Sequence, residues 1–142
     1  MTKKLLSTRI HEFIPADLSI LVLRIGAAAL IMTHGYPKLM RILDGNFGFG
    51  DPIGLGPEVS LFLVTFAEFF CALLLMAGFL TRFALIPLII NMSVIAFIAH
   101  GDDPFSRQEL PLFFLIAFVT LFFTGAGRYS LDQLFFNRRR IS

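Results

Sequence analysis

Cysteine and charged residues are both scarce in this sequence. Cys71 is the only cysteine among the 142 residues, and no Cys-x-x-Cys motif occurs. A single thiol cannot form a disulfide within the chain, which excludes dithiol redox chemistry by this chain alone. Because Cys71 lies in a long apolar run, we expect it to be a buried packing residue.

Charged residues make up 15% of the chain, whereas a soluble domain carries about a quarter. Hydrophobic residues make up 56%, with 18 phenylalanines, and the mean hydropathy is +0.79. So much apolar surface cannot all face water, and no hydrophilic second domain follows the first apolar run. The composition therefore predicts one integral membrane domain over residues 1–142.

The sequence also lacks a nucleotide-binding loop and a nucleophile triad. Its formal net charge of +2 does not indicate nucleic-acid binding, since the basic residues cluster near the two ends of the chain. Such clusters suit the anionic headgroups of a lipid bilayer. We therefore expect the bilayer, and no nucleic acid, as a partner.

Four apolar runs predict membrane spans at about residues 18–34, 59–80, 83–99 and 110–124. The predicted fold is an all-α, four-helix transmembrane bundle. Short amphipathic interfacial helices are expected at both ends, over residues 1–17 and from Ser130 onward, where Ser130 and Gln133 form a capping box. The glycine-rich loop Met40–Glu58 either folds over the mouth of the bundle or is solvated.

The basic residues predict the orientation. Eight lie on the side of the chain ends: Lys3, Lys4, Arg9, Arg82, Arg128, Arg138, Arg139 and Arg140. The other two loops carry three basic and six acidic residues: Lys38, Arg41 and Arg107, with Asp44, Asp51, Glu58, Asp102, Asp103 and Glu109. The positive-inside rule then predicts a multi-pass inner-membrane protein with both termini in the cytoplasm.

Glu68 lies near the centre of the second predicted span. A carboxylate at that depth costs at least ~2.5–3.5 kcal/mol, so it normally faces the protein interior and has a partner. We expect an ion pair with Arg24 of the first span and a hydrogen bond from Asn91 of the third. These groups either line a polar pocket or serve packing alone by fixing the register of the helices.

A second group of polar residues is predicted at the outer ends of the spans. His34 and Lys38 are four residues apart and share a helical face if the first helix continues that far, and His100 ends the third span. With Arg24, Glu68 and Asn91 they would form a pocket open to the outside. No recognised ligand spacing such as His-Glu-x-x-His is present, so interfacial anchoring is the default and no metal site is predicted.

Three segments carry a family resemblance: LRIGAAALIMTHGYPKL, AEFFCALLLMAGFLTR and GAGRYSLDQL. They resemble, in this order and at this spacing, the DoxX family of small four-helix membrane proteins. The matching positions are Arg24, Gly26, His34, Gly35 and Lys38, then Glu68, Gly78, Thr81 and Arg82, and finally Gly125, Gly127, Arg128, Ser130, Leu131 and Asp132. The glycines, Arg128, Ser130 and Asp132 of the last segment are expected to have a structural role.

The resemblance implies a component of a quinone-linked membrane oxidoreductase. Members of the family are tied to quinol oxidase and thiosulfate:quinone oxidoreductase complexes, and distant relatives act as membrane chaperones. To do redox work, this chain would need an external cofactor, for which the resemblance suggests a quinone, or a partner redox subunit. The alternative is a non-catalytic interaction or chaperone protein whose buried charges serve packing. A third hypothesis is a transporter of lipids or small metabolites, for which the chain would need to form a homo-oligomer.

Overall fold

The computed structural model describes residues 16–136, and this part of the chain is helical with no strand. Four long apolar helices and one short helix follow one another: α1 Ala16–Leu43, α2 Pro57–Ala77, α3 Thr81–Ala99, α4 Phe105–Thr124 and α5 Leu131–Phe136. Each of the four long helices is long and apolar enough to cross a membrane. The predicted all-α four-helix fold is confirmed, while the helix expected before residue 16 lies outside the described residues.

The four long helices pack in a ring. Each contacts its neighbours in the chain, and α1 packs against α4 to close the bundle. Neighbouring helices pack side by side and run in opposite directions. One end of the bundle therefore holds the start of α1, the α2–α3 turn and the end of α4. We call it the terminal end and the opposite one the loop end.

The core is filled by residues from all four helices, including Ile31 of α1, Leu75 of α2, Leu88 of α3 and Phe118 of α4. Cys71 also lies in this core and is 2% exposed, as the sequence predicted. Small residues such as Ala28 let α1 approach its neighbours closely. The outward faces remain apolar, which suits contact with lipid.

Helix α1 continues nine residues beyond the predicted end at His34 and reaches Leu43. Gly35, Tyr36 and Pro37 indicated a break, yet Pro37 lies inside the helix. A proline removes one backbone hydrogen bond, and neighbouring helices can make up for that loss in a membrane bundle. The extension keeps Lys38 helical and places it toward the interior of the loop end.

The turn between α2 and α3 lies at Gly78–Leu80, ahead of the predicted turn at Thr81-Arg82. Gly78 adopts a left-handed conformation with φ +70°. Its N–H donates to Leu75 O at 3.0 Å, and Phe79 N–H donates to Leu74 O at 2.9 Å, the pattern of a Schellman helix end. Thr81 is therefore the first residue of α3.

Two of the long helices contain a π-helical segment. Phe66–Cys71 interrupts α2, and Ile95–Ala99 ends α3. Helix α4 begins at Phe105, five residues before the predicted start at Leu110, so Pro111 lies inside the helix instead of in its first turn.

Candidate functional site

The buried carboxylate of Glu68 has two side-chain partners. Lys38 Nζ forms an ion pair with Glu68 Oε2, and Asn91 Nδ2 donates a hydrogen bond to Glu68 Oε1 at 3.0 Å. The side chain of Glu68 is 2% exposed and that of Lys38 is 21% exposed. Both carboxylate oxygens are thus paired, as a charge in an apolar interior requires. We call Lys38, Glu68 and Asn91 the polar cluster.

Gly35 lets α1 approach α2 at the level of Glu68. A Cβ atom at position 35 would lie 2.5 Å from Glu68 O and 2.9 Å from Phe69 N, both backbone atoms. Such distances are far below van der Waals contact, so only glycine fits without moving one helix. Lys38 follows three residues later on the same helical face, which brings its ammonium group to the carboxylate.

Glu68 itself lies in the π segment of α2. A π segment inserts one extra residue into an α-helix and is often found at functional sites. The second π segment, Ile95–Ala99, follows Asn91 by one helical turn and contributes Ile95 and Ala99 to the same cavity. Both irregular segments therefore adjoin the polar cluster.

The predicted pairing of Arg24 with Glu68 is wrong. Arg24 is buried, and its guanidinium donates to Ala126 O and to Tyr129 O, the latter at 2.7 Å. Arg24 precedes Lys38 by 14 residues, which corresponds to about 21 Å along the helix axis. Arg24 therefore stabilises the segment after α4 at the terminal end, and Lys38 takes the predicted role as the base opposite Glu68.

The segment after α4 joins all the helix ends at the terminal end. Asp132 Oδ1 accepts from Leu80 N–H at 2.7 Å and Oδ2 from Thr81 N–H at 3.0 Å, so the carboxylate caps α3. Ser130 Oγ accepts from Gln133 N–H at 3.3 Å, which is one half of the predicted capping box.

The same segment contains two glycines in a left-handed region and is bonded to an aspartate of α1. Gly125 and Gly127 have positive φ values of +75° and +78°. Arg128 N–H donates to Asp17 Oδ1 at 3.0 Å, which ties the segment to the start of α1. A Cβ atom at Gly78 would lie 2.5 Å from Ser130 Cβ, so this turn and the segment after α4 are in direct contact.

A cavity of about 610 Å³ opens at the loop end beside the polar cluster. Five of the six residues predicted for a pocket line it: His34, Lys38, Glu68, Asn91 and His100. Arg24 does not line it. Most of the remaining wall is apolar and comes from α1, α3, α4 and the α1–α2 loop, including Ile31, Phe49, Pro52, Met92, Ile95, Leu110 and Phe114.

The two histidines of the cavity are held by different kinds of contact. His100 Nδ1 lies 2.7 Å from Asp103 Oδ2, and Gln108 Nε2 donates to His100 O at 2.7 Å. The ring of His34 packs edge-on against Phe114 at 6.3 Å between centroids. Within residues 16–136 no three histidine, cysteine or acidic side chains gather in a way that would hold a metal ion.

The α1–α2 loop contributes Phe49, Gly50 and Pro52 to the cavity wall. It is held by Arg41, which donates to Gly48 O, and by Ser60 Oγ, which donates to Asp51 Oδ1 at 3.2 Å. Phe47 also stacks on Phe62 of α2 at 5.9 Å. Of the two alternatives for this loop, the structure favours the one in which it folds over the mouth.

Sequence reasoning did not identify Phe49, Ser106, Arg107 or Phe114 as cavity residues. Phe49 lies in a loop without regular periodicity. Ser106 and Arg107 lie in the first turn of α4, which was expected to be loop. The helical spacing of Arg107, Leu110, Pro111 and Phe114 would have indicated a shared face once the true start of α4 was known.

Comparison with known proteins gives one family and two relatives. The sequence profile of the DoxX family matches residues 19–101. A Haemophilus influenzae protein described only as uncharacterized is 30% identical over 127 residues, which cover 82% of this chain and 90% of the relative. A second uncharacterized protein of that organism is 29% identical over 131 residues and covers 85% of each chain. No solved structure matches the chain significantly.

Proposed function

Since the chain belongs to the DoxX family of membrane proteins, we propose that its loop-end cavity binds the headgroup of a quinone as part of a membrane oxidoreductase. The observation that carries this proposal is the polar cluster, which places the ion pair of Lys38 and Glu68 at the wall of a mostly apolar cavity. Small-molecule sites typically combine an apolar wall with a few convergent polar groups.

The side chains of the cavity fit a quinone. Lys38 has three N–H donors and Asn91 two, and each uses one on Glu68, so both retain donors for a carbonyl oxygen. The apolar wall, with Met92 and Phe114, suits a planar ring. A bound quinone would supply two-electron chemistry, with electrons coming from a partner redox subunit.

Residues of this chain would bind the headgroup and supply protons to it. Lys38 and Glu68 form a direct ion pair at the cavity wall, which places an ammonium group and a carboxylate side by side. His100, whose Nδ1 contacts Asp103 Oδ2, lines the same cavity. The proposed role of these residues is to bind and orient the headgroup and to deliver protons.

A binding titration tests this proposal. The full chain is purified in detergent and titrated with decylubiquinone, with the ligand-induced shift in unfolding temperature as the readout. We expect Lys38→Met to raise the Kd about tenfold, since a hydrogen bond from a charged donor contributes about 1.5–3 kcal/mol. Arg128→Met, which removes a cation at the terminal end, is the matched control and should leave the Kd unchanged.

The same titration distinguishes the alternative. If the wild-type chain shows no saturable binding, or if Lys38→Met binds as tightly as Arg128→Met, the quinone proposal fails. The polar cluster would then serve packing alone, as in an interaction or chaperone protein. Circular dichroism of each variant confirms that the helices are retained.

The orientation of the chain is part of the proposal. The excess of lysine and arginine on the terminal side supports cytoplasmic termini in the inner membrane. The loop-end cavity would then open toward the outer face of that membrane.

A further inference from the structure

A second cleft, of about 740 Å³, lies at the terminal end of the bundle. Its wall is formed by the start of α1, the beginning of α3, the segment after α4 and α5. The ionisable residues that line it are Asp17, Arg82, Arg128 and Asp132. We propose that this cleft binds the phosphodiester group of a membrane glycerophospholipid between Arg82 and Arg128. The proposal is independent of the quinone site.

Arg82 is held in place by the end of α4. Its Nε donates to Phe122 O at 3.0 Å, and its Nη2 donates to Phe123 O at 3.5 Å. A guanidinium has five N–H donors, so three remain available on a group whose position is already fixed. A fixed guanidinium loses little conformational entropy on binding an anion and is well suited to phosphate oxygens.

Arg128 brings a second guanidinium to the same cleft. Its backbone is fixed by the turn at Gly127 and by the hydrogen bond to Asp17 Oδ1. Its side chain is exposed and makes no hydrogen bond or ion pair within residues 16–136. It is therefore free to close on an anion that Arg82 already contacts.

The two aspartates of the cleft accept hydrogen bonds from backbone N–H groups. Both oxygens of Asp132 accept from backbone N–H groups of Leu80 and Thr81, and Asp17 Oδ1 accepts from Arg128 N–H. These backbone contacts hold the carboxylates away from the two guanidinium groups, which remain available to an anion.

Thr81 supplies an unpaired donor at the cleft. The residue is 2% exposed, and its Oγ1 has no hydrogen-bond partner among the described residues. A buried hydroxyl without a partner is unfavourable, because it has given up its hydrogen bonds to water. A phosphate oxygen in the cleft would accept from it.

The position and rim of the cleft favour a lipid over a soluble anion. It lies at the ends of membrane-spanning helices, where headgroups meet the protein. Phe83 and Phe136 line it and are 74% and 60% exposed, which offers an apolar surface to acyl chains beside the two arginines.

Native mass spectrometry of the detergent-purified full chain tests the inference. The chain is titrated with phosphatidylglycerol and with phosphatidylethanolamine of identical acyl chains. We expect Arg82→Gln and Arg128→Gln each to lower the bound fraction of both lipids about tenfold relative to the wild type. Arg41→Gln, which removes an exposed arginine at the loop end, is the control and should retain both lipids.

A third variant and a competition with inorganic phosphate complete the test. Thr81→Val keeps the shape of the side chain and should reduce lipid binding about threefold if the hydroxyl donates to the ligand. Equal retention by Arg128→Gln and Arg41→Gln would overturn the inference, and so would a loss confined to one of the two headgroups. Displacement of lipid by millimolar inorganic phosphate would also overturn it, because the site would then recognise a soluble anion. Since the Arg128 side chain is exposed and makes no hydrogen bond or ion pair within the described residues, its variant should fold even if Arg82→Gln does not.

Discussion

At the scale of single residues, the polar cluster shows how a buried carboxylate is stabilised between membrane helices. Glu68 is paired on both oxygens, and the loss of either partner would leave a charge or a polar group without compensation. The need for a partner could be predicted from the sequence, and the hydrogen bond from Asn91 is present as expected. The identity of the base could not be predicted, because two cations on α1 face the bundle, four helical turns apart.

Lys38→Met is expected to destabilise the fold by about 2–4 kcal/mol, somewhat less than for a fully buried pair because Lys38 is partly exposed. The double variant Lys38→Met/Glu68→Met should lose less than the sum of the single variants, since it removes both charges together. Reversible unfolding in sodium dodecyl sulfate, followed by circular dichroism, gives the double-mutant cycle. Strictly additive losses would show that the two side chains do not interact.

Gly35 and Gly26 offer a matched comparison on the same helix. Gly35→Ala should destabilise the bundle by about 1–3 kcal/mol, because its Cβ would meet the backbone of α2. Gly26→Ala has no heavy atom within 4 Å of the new Cβ and should be neutral or more stable by up to about 1 kcal/mol. The same unfolding measurement checks both, and equal effects would contradict the close approach of α1 to α2.

At the scale of helices, the differences from the sequence prediction arise where tertiary contacts override local signals. Gly35 and Pro37 indicated a helix end, yet packing against α2 and α4 keeps α1 helical to Leu43. The partners of Arg24 are backbone carbonyls more than 100 positions away, which no local pattern indicates. The length of the four apolar runs was sufficient to identify the four long helices themselves.

Asp132→Ala is expected to destabilise the protein by about 1–2 kcal/mol, because it removes the cap from two N–H groups at the start of α3. Asp132→Asn should recover part of this loss, since its amide retains one acceptor oxygen. Asp102→Ala removes an exposed acid at the loop end and is the control. The free energy of unfolding is the readout, and an Asp132→Ala variant as stable as Asp102→Ala would rule out the cap.

At the scale of the whole molecule, one bundle carries two polar regions at opposite ends. The cavity with Glu68 lies at the loop end, and the cleft with Arg82 and Arg128 lies at the terminal end. Composition and the four apolar runs predicted the membrane bundle. The separation of the polar residues into two regions was not predicted. The sequence analysis placed Arg24 in the pocket with Glu68, whereas Arg24 lies at the terminal end.

The proposed orientation can be measured with single cysteines in a Cys71→Ser background. Leu55→Cys lies in the α1–α2 loop and Tyr129→Cys in the segment after α4, and both side chains are exposed. In intact spheroplasts, a membrane-impermeant maleimide should label position 55 and leave position 129 unlabelled until the cells are opened. Labelling of position 129 alone would reverse the orientation.

Photolabelling with an azido-quinone tests the central claim most directly. In the full chain within lipid vesicles, mass spectrometry of the labelled peptides should place the label on cavity segments such as Ile31–Lys38 and Asn91–His100, and excess decylubiquinone should suppress it. Label confined to the outward, lipid-facing residues, such as Phe83 and Phe123, and unchanged by the competitor would contradict a quinone site at the polar cluster.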